Sequence, residues 1–230
     1  VSGAAAADHS PAAATVPASA AAYLTKLGEL NNEAGPTSLE PVYALALTVQ
    51  EDLMALTNDY ARIEGLSETD FAQLQQRLSG FRISRGVEVF AEPDPAFFLD
   101  LARKHGERAD VAFFSLLQRS RGIDFFPDYL TPQGRGVCVR YGEGRIAPYY
   151  AGWLSFRGAF DKRYDAQAAQ EIADVEDTVG LGTCACADQR SVVEELTGFA
   201  RAFPASPATL RIPDRLRQLG LRKFRDRGGC

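Results

Sequence analysis

Residues 37–65 read TSLEPVYALALTVQEDLMALTNDYARIEG, and the placement of apolar side chains in this stretch decides the fold class. Val42, Ala46, Val49, Leu53, Leu56, Tyr60 and Ile63 recur at alternating steps of 4 and 3 residues. That is the period of one helix face, so the spacing predicts a single helix of about seven turns with a continuous apolar stripe. Thr37 and Glu40 stand at capping-box spacing, Pro41 suits only a first turn, and Gly65 ends the pattern. A second box, Ser67 to Asp70, opens a short helix with Phe71, Leu74 and Leu78 inward and Gly80 closing it. The short turn between the two predicts antiparallel packing.

The same signals recur downstream. Asp94-Pro95 pairs an N-cap with a proline at the first helical position, ahead of Phe97, Phe98 and Leu101, and Gly106 stops that helix. Another helix runs from Arg108 to Arg119 over Val111, Phe114 and Leu117. Asp165 heads a helix to Gly180 with Ala168, Ile172, Val175 and Val179 inward. Asp188 heads another with Val192, Leu196, Phe199 and Phe203, ended by Pro204. Ser206-Pro207 starts the last helical stretch, which Pro213 is expected to kink.

Two regions change period. Phe81, Ile83, Val87 and Val89 alternate around Arg85-Gly86, which predicts a short hairpin. Residues 121–164 are irregular and rich in Gly, Arg and aromatics. There, 137–141 and 145–150 read as short strands around Gly142-Glu143-Gly144, with a third at Trp153–Phe156. The fold class is therefore mainly α, a multi-helix globular domain with a small antiparallel β element in the middle of the chain.

Residues 1–22 are Ala, Pro, Ser and Thr with almost no large apolar side chain. Such a segment cannot offset its ordering entropy by burial, and it reads as a disordered tether. Residues 23–230 read as one mainly helical domain, or as two lobes meeting near 121–164. A start at Val1 is what processing or trimming leaves behind, and tethers of this composition follow lipoprotein anchors and signal cleavage sites. No run of ~18 apolar residues occurs, so no transmembrane span is expected. A net charge of −5 gives no sign of nucleic-acid binding.

The four cysteines are Cys138, Cys184, Cys186 and Cys230. An even count suits two disulfides in an oxidising compartment. A Cys184–Cys186 bond would close a very small ring, so Cys138 and Cys230 are each expected to bond one member of that pair. Zinc bound by four thiolates is the competing reading, although structural zinc sites favour C-x2-C spacing.

Catalytic signals are sparse. His9 lies in the tether, and His105 beside Gly106 reads as a cation at a helix C-terminus. No nucleophile-elbow motif is present to partner it, and no cofactor or metal is expected. Gly134-Arg135-Gly136 and Gly142-Glu143-Gly144 lack the P-loop Lys-Ser/Thr and read as turns needing positive φ. Glu88, Glu92 and Glu143 are the carboxylates to consider for glycan hydrolysis. Glu194 and Glu195 read as solvated helix surface.

Two features point to binding. Arg135, Arg140, Arg145 and Arg157 are interleaved with Tyr141, Tyr149, Tyr150, Trp153 and Phe156. Arg, Tyr and Trp dominate recognition hot spots, so Arg140, Arg145, Tyr149, Tyr150 and Trp153 form the candidate binding set. The competing reading makes the aromatics the core of a small sheet with arginines at its rim. The second feature is residues 211–227, where seven basic residues stand against Asp214 and Asp226, a local net of +5.

The sequence thus predicts a non-catalytic protein of the cell envelope, periplasmic, secreted or membrane-tethered, that recognises a protein or an anionic envelope component. The alternatives are a carboxylate-dependent envelope hydrolase acting on glycan or peptide and a cytosolic zinc-binding scaffold.

Overall fold

The apolar stripe of residues 42–63 is split between a helix and a hairpin in the computed structural model, which describes residues 17–57, 60–86, 89–121, 126–133, 136–182 and 184–221. Helix α1 (Ala18–Glu29) precedes helix α2 (Glu40–Met54). The chain leaves the helix at Ala55, whose ψ of 129° is extended. Two short strands follow, β1 (Leu56–Thr57) and β2 (Tyr60–Ala61), paired antiparallel. A 3₁₀ turn at Arg62–Gly65 ends the stretch. Asn58-Asp59 is the reason visible in the sequence, since both residues favour turns over helix interior. The inward residues Val42, Ala46, Val49 and Leu53 are buried on α2 as the period requires, and Ile63 is buried on the 3₁₀ turn. Leu56, expected inward, is instead 75% exposed. Leu39 occupies the N-cap of α2, while Thr37 donates its amide to the His105 carbonyl at 2.8 Å.

Helix α1 starts inside the stretch read as tether. Four of the five residues 18–22 are alanine, the strongest helix former, and Ala20 and Tyr23 are fully buried. Residues 1–16 lie outside the described residues. Helix α2 packs on α1.

The Ser67 cap holds: its hydroxyl accepts from the Asp70 amide at 3.1 Å and opens helix α3 (Glu68–Arg77). Strands β3 (Phe81–Arg85) and β4 (Val89–Pro93) form the expected hairpin, with Phe81 opposite Pro93 and Arg85 opposite Val89. Strand β4 is the one that α2 covers. Asp94 caps helix α4 (Pro95–His105) by accepting from Ala96 N at 3.0 Å. The buried face of α4 is Phe98, Leu99 and Ala102; of the residues singled out in the sequence Phe98 is buried, while Phe97 and Leu101 are half-buried.

Helix α5 spans Arg108–Ser120. The chain divides inside it into two compact units, Val1–Val111 and Ala112–Cys230, ahead of the irregular stretch. In the first unit, Tyr23 meets Phe81 edge-on at 5.5 Å, and Tyr43 meets Phe98 at 5.2 Å.

The second unit begins with the rest of α5 and a hairpin of β5 (Leu130–Gln133) and β6 (Gly136–Val139). Residues 145–150 and 153–156 are not strands but parts of helix α6 (Ile146–Ala159). Its buried residues Ile146, Tyr149, Tyr150, Trp153 and Phe156 fall at steps of 3, 1, 3 and 3, a helical period that aromatic strand propensity masked. Gly142 and Gly144, at φ of 86° and 66°, form the turn ahead of it.

Helix α7 (Asp165–Asp177) continues into a π-helical turn, Thr178–Gly182. Asp188 caps helix α8 (Gln189–Ala202) by accepting from Ser191 N at 2.8 Å. A 3₁₀ turn at Pro207–Leu210 leads to helix α9 (Ile212–Leu221). Pro213 sits in the first turn of α9, where its missing N–H costs nothing, so it starts a helix rather than kinking one. The described residues are thus mainly helical, with three small antiparallel strand pairs.

Cys138 and Cys186 form a disulfide across 48 residues, worth roughly 4 kcal/mol in the chain-entropy model. Beside it, Val139 N donates to Cys184 O at 2.7 Å and Cys186 N donates to Val139 O at 2.9 Å, extending β6 by one bridge. Cys184 is also disulfide-bonded, and no described cysteine is free. Cys230 lies outside the described residues.

Asp110 tests the first unit. It is fully buried, and it accepts from Leu39 N at 3.2 Å and Glu107 N at 2.7 Å, joining the start of α2 to the start of α5. Asp110→Ala is expected to cost about 2–4 kcal/mol, because it leaves a buried amide unpaired. Urea denaturation measures this, and a loss below about 0.5 kcal/mol contradicts the role.

Candidate functional site

The residues singled out for binding separate into two environments. Tyr149, Tyr150 and Trp153 are buried at 5%, 3% and 0% exposure. Trp153 packs edge-on to Phe113 at 5.6 Å, and Phe113 stacks on Tyr164 at 3.9 Å. Tyr129 meets Tyr149 edge-on at 5.0 Å. These rings are core, so the exposed Arg/aromatic surface expected from the sequence does not form; the helical register of α6 turns its large rings inward.

The arginines stay near the surface but are matched. Arg140 Nε donates to Glu143 Oε1 at 2.9 Å, and Arg145 Nε donates to Glu143 Oε2 at 3.1 Å. Arg145 also reaches Asp128 at 3.4 Å. The Arg140 hydrogen bond, aided by Arg145, holds the Glu143 carboxyl below its usual range. Burial raises that of Asp128 despite Arg145. Two cations thus face two carboxylates, so the charges of Arg140 and Arg145 are matched locally among the described residues. Glu143 is engaged in ion pairs rather than poised as an acid. Glu88 and Arg135 lie outside the described residues, and Glu92 sits on β4 in the first unit.

The second unit also holds buried polar groups. Glu171 accepts from Arg121 and from the Tyr149 hydroxyl. Burial, then the Glu171 charge, push the Tyr149 phenol far above its usual range, so it stays a protonated donor. Arg215 is 7% exposed and donates to Thr178 O and Val179 O, both at 2.7 Å, and to the Tyr141 hydroxyl at 2.9 Å. Arg211 pairs with Asp177 at 3.1 Å, and Arg217 pairs with Asp214. The described part of the basic C-terminal stretch is therefore engaged within the unit. Arg222, Lys223, Arg225 and Arg227 lie outside the described residues.

One concave feature among the described residues of the second unit is a groove of about 620 Å³ between α6, α7, the end of α8 and the following 3₁₀ turn. Its apolar walls include Leu154, Ile172, Phe203 and Pro204, and Glu176 and Arg157 are its charged residues. Tyr150 donates to Glu176 Oε1 at 2.5 Å, and the Ser206 hydroxyl donates to the same oxygen at 3.2 Å. Burial, then that bond to Glu176, raise the Tyr150 phenol. Arg157 pairs with Asp165 at 2.8 Å. Of the predicted set, only Tyr150 lines this groove.

Sequence reasoning passed over Glu176, Leu154 and Phe203. A signal existed: Tyr150, Leu154 and Arg157 fall at i, i+4 and i+7 on one helix, and Ala169, Ala173 and Glu176 do so on the next. It becomes readable only once 146–159 is known to be helical.

Among the described residues, no group of His, Cys, Asp and Glu is placed to hold a metal ion, and no helix is long and apolar enough to cross a membrane. Compared with known families, characterised proteins and solved structures, the chain shows no match.

The ion pairs at Arg140 and Arg145 are solvent-accessible and contribute little to folding. The double variant Arg140→Ala, Arg145→Ala is expected to unfold within about 1 kcal/mol of the parent. A loss above about 3 kcal/mol in chemical denaturation would mean these arginines carry structure.

Proposed function

We propose that the chain is a non-catalytic binding protein of an oxidising compartment of the cell envelope, periplasmic or secreted, and that it recognises its ligand in the groove beside Glu176. The groove carries this reading: its volume of about 620 Å³ lies in the range of small-molecule sites, with mostly apolar walls and a few polar groups. The Cys138–Cys186 disulfide supports the compartment, since such bonds persist where thiols are not kept reduced. It also occupies two of the thiolates that a zinc scaffold would use.

Hydrolysis is the less supported reading. Among the residues lining the groove Glu176 is the single carboxylate, and glycoside hydrolysis works with two flanking the scissile bond. The matched arginines at 140 and 145 move the expected recognition site away from the surface that the sequence suggested.

Nile red, a neutral apolar dye, tests the groove without regard to charge. One saturable site with enhanced emission is expected. Ala173→Trp, on an exposed position of α7 that lines the groove, is expected to weaken it at least tenfold while the far-ultraviolet circular dichroism is kept. Absence of saturable binding, or equal binding by the variant, contradicts the proposal.

A further inference from the structure

Both hydroxyls that reach Glu176 donate to one oxygen, Oε1. Among the described residues no protein donor reaches the other, Oε2, although the side chain lines the groove. A carboxylate accepts at both oxygens, so this one retains acceptor capacity towards a ligand. The local charge is not balanced by Arg157, the cation of the groove, because Arg157 is paired with Asp165 at 2.8 Å.

Two further features give the groove the same sign. Ala202 and Phe203 mark the end of α8, so one helix C-terminus borders the space, whereas α7 runs on past Glu176 into its π-helical turn. Helix C-termini carry partial negative charge and favour cations. The Phe203 ring, which lines the groove and meets the buried Tyr150 edge-on at 4.8 Å, adds an aromatic wall to the space that holds Glu176, and aromatic rings attract ammonium groups.

Resting on the groove being the recognition site, we infer that its ligand is a small amphipathic primary amine: the ammonium group sits against Glu176 and the apolar body lies between Leu154, Ile172, Phe203 and Pro204. A cation is thereby preferred over the anionic component that the sequence alone suggested. The volume suits a small molecule rather than a chain of many residues.

Isothermal titration of the whole protein with hexylammonium, hexanol and hexanoate tests the charge, because the apolar chain is the same in all three. Hexylammonium is expected to bind at least tenfold more tightly than hexanol, with hexanoate weakest. Glu176→Gln, which keeps an acceptor for Tyr150, is expected to remove the preference for hexylammonium while Nile red still binds. Equal affinity for hexylammonium and hexanol in the parent protein overturns the inference, as does an unchanged preference in Glu176→Gln. If that variant does not fold, the ranking in the parent decides. Tighter capture of a lysine-rich peptide than of hexylammonium overturns the assignment to a small ligand. Loss of Nile red binding along with all three probes means that the groove itself, and not its charge, was misassigned.

Discussion

The second unit depends on one buried cation. Desolvating a guanidinium costs several kcal/mol, and Arg215 offsets that cost with two backbone carbonyls and a phenol oxygen instead of a carboxylate. The carbonyls belong to Thr178 and Val179, where α7 loosens into its π-helical turn and leaves acceptors unsatisfied. Tyr141 completes the arrangement by accepting from Arg215 and donating to Thr178 O at 3.1 Å. Three separate parts of the chain meet there: the segment after β6, the end of α7 and helix α9. Because Glu176 lies two residues before Thr178, this junction also fixes the carboxylate that faces the groove.

The disulfide acts on the same region by a different physical route. Cys138 lies on β6, three residues before Tyr141, and Cys186 lies two residues before the cap of α8. The covalent link limits the unfolded ensemble, while the bridge at Val139 and the Arg215 bonds specify the folded one. Glu171, with Arg121 and Tyr149, adds a second buried polar layer one helical turn and a half before Glu176. The groove is consequently built on helices with fixed ends, which suits a site that holds a ligand in one orientation.

Much of the fold was legible in the sequence because its signals are local. Ser67, Asp94 and Asp188 act at helix starts as their side-chain chemistry dictates, and the β3–β4 alternation gives its hairpin. Two segments were misread for opposite reasons. In residues 55–61 the apolar spacing kept a helical period although the helix ends at Met54, and the spacing took no account of the low helix preference of Asn58-Asp59. In residues 145–156 strand-favouring aromatics concealed a helical period, and burial of one helix face outweighed propensity. That second error hid the site, since Tyr150, Leu154 and Arg157 line one face only on a helix. Glu176 was legible only as one position on the helix face of Ala169 and Ala173: its significance comes from Tyr150, Ser206 and Phe203, which are remote in sequence.

The binding account turns on where a positive charge rests. Arg140 and Arg145, the cations that stood out in the sequence, are consumed by Glu143 and Asp128, and the carboxylate that stands out in the structure keeps a free oxygen. The proposed ligand therefore carries the opposite sign from the one that the arginine-rich segment suggested. The most direct measurement is a crystal structure of the protein with hexylammonium bound. The account places the ammonium nitrogen about 2.8 Å from Glu176 Oε2 with the alkyl chain along Ile172 and Leu154. An amine seated elsewhere, or one with its nitrogen turned to solvent and its chain against Glu176, contradicts it.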